Sequence, residues 1–285
     1  MMNPGRADRD PDGHSPARST SGHDRVFWTG TWLLSIAYLL ILMCLLGALA
    51  GYTTPLRIID VLGRRDVMAS LRLTLVSATT ATLMAVGFML PLAYLLACRR
   101  IRCKLAVESV LDLPHVMPPL VLGLSMLVLF QTRPMRWLAP YIVYQVPAVF
   151  LAQFVVAAPY ALPILRSSLQ RGDLRHEQMA MTMGCTQWTA FIRVTLPENR
   201  DGLVQATAMA WARCVGTFGP VLVFAGATRN KTEVLSTTIY LELGVGDLEA
   251  AVAVSLVLVV AAASVLWGLR WWAWRHQGPL ASGGR

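Results

Sequence analysis

Five stretches of this chain run for 20 residues or more without an Asp, Glu, Lys or Arg: 26–56, 73–98, 113–132, 137–165 and 250–269. A sixth, 202–228, carries a single charge, Arg213. About 20 apolar residues in helical form cross the hydrocarbon core of a bilayer. Every backbone N–H inside lipid must be paired internally, which helices achieve and open strands do not. Runs such as LLILMCLLGALA also lack the period-2 alternation of a membrane barrel. The chain therefore reads as an all-α polytopic membrane protein with six transmembrane helices. Only 14% of its 285 residues are charged. Soluble domains average about 25%, and a disordered chain or a coiled coil needs still more charge.

Orientation follows from where the cations fall. With the amino terminus inside, the cytoplasmic segments hold 16 of the 25 Lys and Arg residues and the outer segments 8, Arg213 being the remaining one. Both termini are therefore expected in the cytoplasm, with the chain spanning the membrane several times. The net charge of +9 is explained by this topology, and no basic stripe with interleaved aromatics points to nucleic acid. Residues 1–25 read as a polar, disordered cytoplasmic tail and 26–56 as a first span that is not cleaved, being longer than a signal-peptide core. Residues 270–285 read as a cytoplasmic tail. Tryptophans flank the first and last spans (Trp28, Trp32, Trp267, Trp271), as interfacial anchors do. The five cysteines suggest no metal site and read as structural thiols.

The segment 166–201 is the longest cytoplasmic connection, yet it is not loop-like. Leu174 to Met183 favours helix. Gly184 supplies the residue that tolerates a left-handed end. Trp188, Phe191 and Ile192 resume helical spacing, and Pro197 is expected to stop the second helix. Two short helices with a glycine elbow form a rigid knob that a soluble motor could push. The competing reading is an interfacial helix lying on lipid, which Trp188 and Phe191 would suit.

The same residues resemble the signature of type I ABC importer permeases, the binding-protein-dependent inner-membrane components. That signature is written E-A-A, three residues, G, nine residues, I-x-L-P. Here Gly184 is the glycine, Ala180 the second alanine, Val194 the isoleucine position and Leu196-Pro197 the terminal pair. Gln178 stands in the glutamate position with Glu177 beside it, so which of the two makes the contact is open. The stretch Leu113 to Pro119 with Gly123, the pair Pro159-Tyr160 with Pro163, and Ala210 to Gly226 resemble the molybdate/tungstate/sulfate branch. Where that branch often has an acid, this chain has Thr217. The resemblance covers 66–269, an ABC transmembrane type-1 domain with the coupling loop at 174–197. It implies a homodimeric permease, two cytoplasmic ATP-binding subunits docked beneath it, and an extracytoplasmic binding protein that delivers an oxyanion, most simply molybdate or tungstate. Sulfate or another substrate is the alternative within the family. No cofactor or metal is implied, and no ATPase site of its own.

Arg213, the one charge within a span, should face the bundle or water and have a partner. It could attract an oxyanion through bidentate hydrogen bonds or make a structural pair. Pro114, Pro118 and Pro119 are expected to break the third span and line a pathway. Ser125, Gln153 and Thr217 are gate candidates that could equally be interhelical glue. Asp112 is expected to pair with the Arg99–Lys104 cluster, and His115 to be a hydrogen-bonded structural group. An ion-coupled secondary transporter would want mid-membrane acids and an internal repeat, and the sequence offers neither.

Overall fold

The computed structural model describes residues 22–98, 104–172 and 174–276, and the regular elements among them are helical. The chain divides into two units, one ending at Gly51 and the other starting at Tyr52. The first contains α1 (Gly22–Gly51). The hydroxyls of Thr31 and Ser35 bond back to the carbonyls of Phe27 and Thr31, at 2.9 and 2.8 Å, so neither leaves a free donor in lipid. The expected run to residue 56 ends early. Pro55 instead opens a separate amphipathic helix, α2 (Pro55–Gly63), because proline fits a first helical turn better than an interior one. The tail 1–21 and most of the cytoplasmic cluster 99–103 lie outside the described residues.

The second unit continues with α3 (Arg65–Cys98), α4 (Lys104–Val116), α5 (Pro119–Gln131), α6 (Ala139–Ile142) and α7 (Val146–Arg171). Then come α8 (Leu174–Thr182), α9 (Gln187–Ala190), a π-helical turn over Phe191–Thr195, α10 (Leu196–Glu198) and α11 (Arg200–Val215). It closes with α12 (Gly219–Phe224), α13 (Leu235–Val245) and α14 (Leu248–His276). Helices α3, α7 and α11 form the central packing. Their contact is lined by Ala78, Ala81 and Ala85, by Ala157, Ala158 and Ala161, and by Ala206 and Ala210, all buried. Lipid tails are as apolar as leucine, so helices in a bilayer associate by close approach across small side chains.

Among the described residues four helices are long and apolar enough to cross a membrane: Phe27–Gly51, Arg65–Ala97, Val146–Arg171 and Leu248–Trp271. A fifth candidate is a pair, Ala106–Val116 and Pro119–Gln131, bent by 112°. Pro114 does not make this break, for it sits inside α4. The break falls at Met117–Pro118, where Pro119 forces the residue before it into an extended conformation (Pro118 ψ 137°). The first half starts at Lys104, earlier than charge-free counting at 113 allowed, because Glu108 and Asp112 ride on its face. The stretch 202–228 is likewise split, at Gly216–Phe218, into α11 and the short α12. The half-helices α5 and α12 meet through two glycines. A Cβ on Gly123 would stand 2.9 Å from the Pro220 Cα, and one on Gly219 would stand 3.0 Å from Pro119 Cβ.

One end of α3 carries an ion-pair cluster. Arg57 reaches Asp60 and Asp247, both at 3.1 Å. Arg64 reaches Glu242 at 3.6 Å and Asp247 at 3.7 Å. Arg229 reaches Glu242 at 2.9 Å and Asp66 at 3.5 Å. Glu242 is buried on α13, and two guanidiniums offset the cost of ionising it there. The carboxyl of Asp247 is held below its ordinary value, first by the Ala250 N–H and then by Arg57 and Arg64.

Candidate functional site

The other end of α3, about 45 Å away at 1.5 Å per residue, meets the elbowed segment. Helix α8 ends where expected, and Gly184 adopts φ +90°, the left-handed conformation that glycine alone enters without strain. The chain then restarts at Thr186, whose hydroxyl accepts the Thr189 N–H at 3.3 Å as an N-cap. The second helix departs from expectation. It widens into the π-helical turn at Phe191–Thr195 and continues as α10 through Pro197, ending at Asn199. Pro197 is accommodated because it falls in the first turn of α10, where its missing N–H is not needed.

Three polar contacts hold this segment, two to the bundle and one across the segment itself. Glu177 is buried, and its carboxylate accepts the hydroxyls of Tyr94, from α3, and of Thr195, the latter at 2.7 Å. Asn199 ties α10 to α7: its Oδ1 accepts the Ser168 hydroxyl at 3.1 Å, and its Nδ2 donates to the Thr195 carbonyl at 2.8 Å. His176 and Glu198 close at 3.1 Å. An edge-on contact of Tyr94 with Phe191, at 4.9 Å between ring centres, fills the remaining gap. Glu177 points inward as an anchor, whereas Gln178 is exposed. Also exposed are Met179, Met183 and Trp188, a polarizable apolar surface of the kind that seats in a partner's groove. Ala180 and Val194 are half-buried, Leu196 is half-buried beneath the π-turn, and Pro197 is exposed.

A second locus lies at the kinks. A cavity of about 370 Å³ is lined by Pro114, His115, Tyr160, Arg213, Thr217 and the Gly216–Pro220 turn, among others. The Arg213 guanidinium stands 4.3 Å from the centre of the Tyr160 ring, and His115 packs on the same ring at 4.2 Å. Tyr160 is thus the hub that joins the ends of α4 and α11. Among the described residues Arg213 makes no ion pair, and its partner is a ring face. Thr217 is buried; its hydroxyl donates to the Arg213 carbonyl at 2.6 Å, and its own carbonyl accepts Ser236 at 2.9 Å. That local bonding is what a neutral threonine supplies where an acid would need a cation.

The other sequence candidates fall elsewhere. Pro118 flanks the cavity at the break itself. Ser125 is exposed, with its hydroxyl returned to Val121 at 2.8 Å. Gln153 is buried on α7 with neither amide atom hydrogen-bonded, and it does not line the Arg213 cavity. Asp112 borders a small cleft with Glu108 and Arg166, and the ion pair there is Arg166–Glu108 at 2.7 Å. Tyr94 and Asn199 were missed by sequence reasoning, because nothing local distinguishes them from other polar residues at span ends, and Tyr160 was noted only within the Pro159-Tyr160 pair, without a role.

The bundle thus combines broken half-helices with an elbowed helical pair bolted to one end. The chain belongs to the family of binding-protein-dependent transport system inner membrane components, whose model matches residues 89–273. It is 36% identical over 205 residues to the molybdenum transport system permease protein ModB of Mycobacterium tuberculosis, covering 70% of this chain and 77% of that protein. It is 30% identical over 215 residues to the sulfate transport system permease protein CysT of Escherichia coli, covering 74% and 78%. The fold matches a crystal structure of a bacterial alginate ABC transporter with a TM-score of 0.71 at 16% identity, covering 87% of this chain and 93% of that one.

Proposed function

We propose that this chain is the permease subunit of an ATP-driven importer and forms the translocation pathway for an oxyanion, molybdate or tungstate in the first place. The observation that carries the reading is the bolted elbow at 174–197. A partner that grips Met179, Met183 and Trp188 pulls on α3 through Glu177–Tyr94 and on α7 through Asn199–Ser168. Those two helices form the middle of the bundle, so a rigid-body movement of the handle becomes a movement of the pathway wall. Glu177, Gln178, Ala180, Gly184, Val194, Leu196 and Pro197 make up the handle in this account, with Glu177 anchoring it rather than meeting the partner.

Support for an oxyanion comes from Arg213, whose guanidinium borders the kink cavity without a carboxylate to neutralise it, and from the molybdenum and sulfate permeases to which the chain is similar. Pro118, Arg213 and Thr217 stand beside the pathway, and Ser125 and Gln153 serve as packing groups. Sulfate is the second reading, favoured by the CysT relative. The remaining architecture completes the proposal: six spans, both termini in the cytoplasm, a homodimer, two ATP-binding subunits below and a delivery protein above. The type-1 domain is taken to run over 66–269. The test is uptake of labelled molybdate, tungstate and sulfate by the reconstituted transporter. ATP-dependent uptake is expected and Arg213→Gln should abolish it while leaving assembly normal; transport by the chain alone on an ion gradient would contradict the reading.

A further inference from the structure

The cations around the first turns of α3 fall into two groups. Arg57, Arg64 and Arg229 are each paired with one or more carboxylates. Arg65, Arg72 and Lys231 form no ion pair or side-chain hydrogen bond among the described residues, although Asp66 and Asp60 lie close by in sequence. All three border one cavity of about 750 Å³, together with Ser70, Asn230 and Glu233. At about 30 Å³ per water molecule, this volume holds an ion and its hydration shell.

The loop that brings Lys231 to α3 is built rather than slack. Asn230 takes a left-handed φ of +60°, and the Thr232 hydroxyl bonds to the Gly226 carbonyl at 3.1 Å and accepts the Thr228 N–H at 3.3 Å. Beneath these cations lies Glu233, which is buried and has neither carboxylate oxygen hydrogen-bonded. The nearby Thr238 hydroxyl is turned to the Val234 carbonyl, at 3.1 Å.

We infer that this cavity is an oxyanion-binding vestibule, in which Arg65, Arg72 and Lys231 supply charge-assisted donors. The inference rests on the oxyanion reading above and places a capture site at the end of α3 opposite the handle. Here the anion released by a delivery protein waits before reaching Arg213. Fixed cations in a concave site raise the local concentration of an anion, and the paired cluster next door holds the surrounding helices in place without competing for it.

The experiment is equilibrium dialysis of labelled tungstate against the full chain in lipid nanodiscs, with no delivery protein present. Wild type is expected to bind, with sulfate competing, and Arg72→Gln and Lys231→Gln to weaken binding by at least about tenfold each. Arg72→Lys should stay within about threefold of wild type. Arg133→Gln removes the same charge outside the cavity and should change nothing. If Arg72→Gln fails to insert, Lys231→Gln, which lies on the loop, carries the comparison alone. Absence of tungstate binding by wild type, or wild-type binding by both variants, overturns the vestibule. So does loss of delivery-protein capture with dialysis unchanged, which assigns the surface to that protein instead. Import by the assembled wild-type transporter is measured in parallel. No oxyanion import sinks the transport reading, whereas normal import by Arg72→Gln and Lys231→Gln sinks the vestibule alone.

Discussion

The two ends of α3 use polar groups in opposite ways. At the Arg65 end, charges are many, partly solvated and shared: Arg57, Arg64 and Arg229 each divide their donors among two or more carboxylates. At the Tyr94 end there is one buried carboxylate, Glu177, held by two hydroxyls. A shared network tolerates the loss of a partly exposed member such as Asp247, because exposed pairs contribute about 0–1 kcal/mol each. A lone buried anchor does not, because removing a partner leaves the charge desolvated. The first design suits a surface that exchanges ions with solvent, and the second suits a joint that must transmit force.

The largest expected effect is at the elbow. Gly184→Asp places a side chain at φ +90°, which costs about 1–2 kcal/mol in backbone strain, and puts a charge where the partner must close. ATPase co-purification and uptake should both be lost, with the chain still in the membrane; normal values of both would refute the handle. Next comes Glu177→Leu, which leaves the buried Thr195 hydroxyl unpaired at about 1–3 kcal/mol and removes the Tyr94 link between the elbow and α3. Uptake should fall at least about tenfold with basal ATPase activity uncoupled. Asp247→Asn, at the opposite end, should change thermal stability by no more than about 1 kcal/mol, and equal effects at the two ends would erase the contrast drawn here.

Acid and base should also separate two carboxyls at the Arg65 end. Asp247 is held below the ordinary carboxylate value, so its contribution is present above about pH 3.9 and is lost only as pH falls below that. Glu233 is pushed above its ordinary value, chiefly by burial, with Thr238 and Arg229 opposing and Asp66 reinforcing. Its unfolded state ionises first, so stability declines as pH rises from about 4.3 toward the folded value. Melting curves in detergent should show this decline in wild type and not in Glu233→Gln. The smallest effect belongs to Gln153→Met. Neither amide atom has a partner, so an apolar side chain of similar size should leave stability within about 1 kcal/mol of wild type or raise it, with uptake unchanged; reduced uptake would return Gln153 to the pathway.

What could be read from the sequence was whatever a local rule governs. Absence of charge marked the long spans, and Gly184 marked its own left-handed turn. Charge counting failed where a helix carries polar residues on one face: α4 begins at Lys104 because Glu108 and Arg166 neutralise each other across helices, a pairing no single segment reveals. Pro197 misled because a proline stops a helix or starts one according to which turn it occupies. The inward turn of Glu177 depends on Tyr94, 83 residues away. The arrest of Arg213 over Tyr160 is likewise tertiary, and a sequence scan for carboxylates could not anticipate a ring.

The central claim is that the elbow is gripped by a separate ATP-driven subunit, and nature has left a probe there. Cys185, next to Gly184, is exposed. With the other four cysteines replaced by serine, its labelling by a membrane-impermeant maleimide should be fast for the chain alone in nanodiscs and at least about tenfold slower once the ATP-binding subunits are bound. Equal rates in the two states, or a thiol already shielded by lipid in the chain alone, would contradict the account.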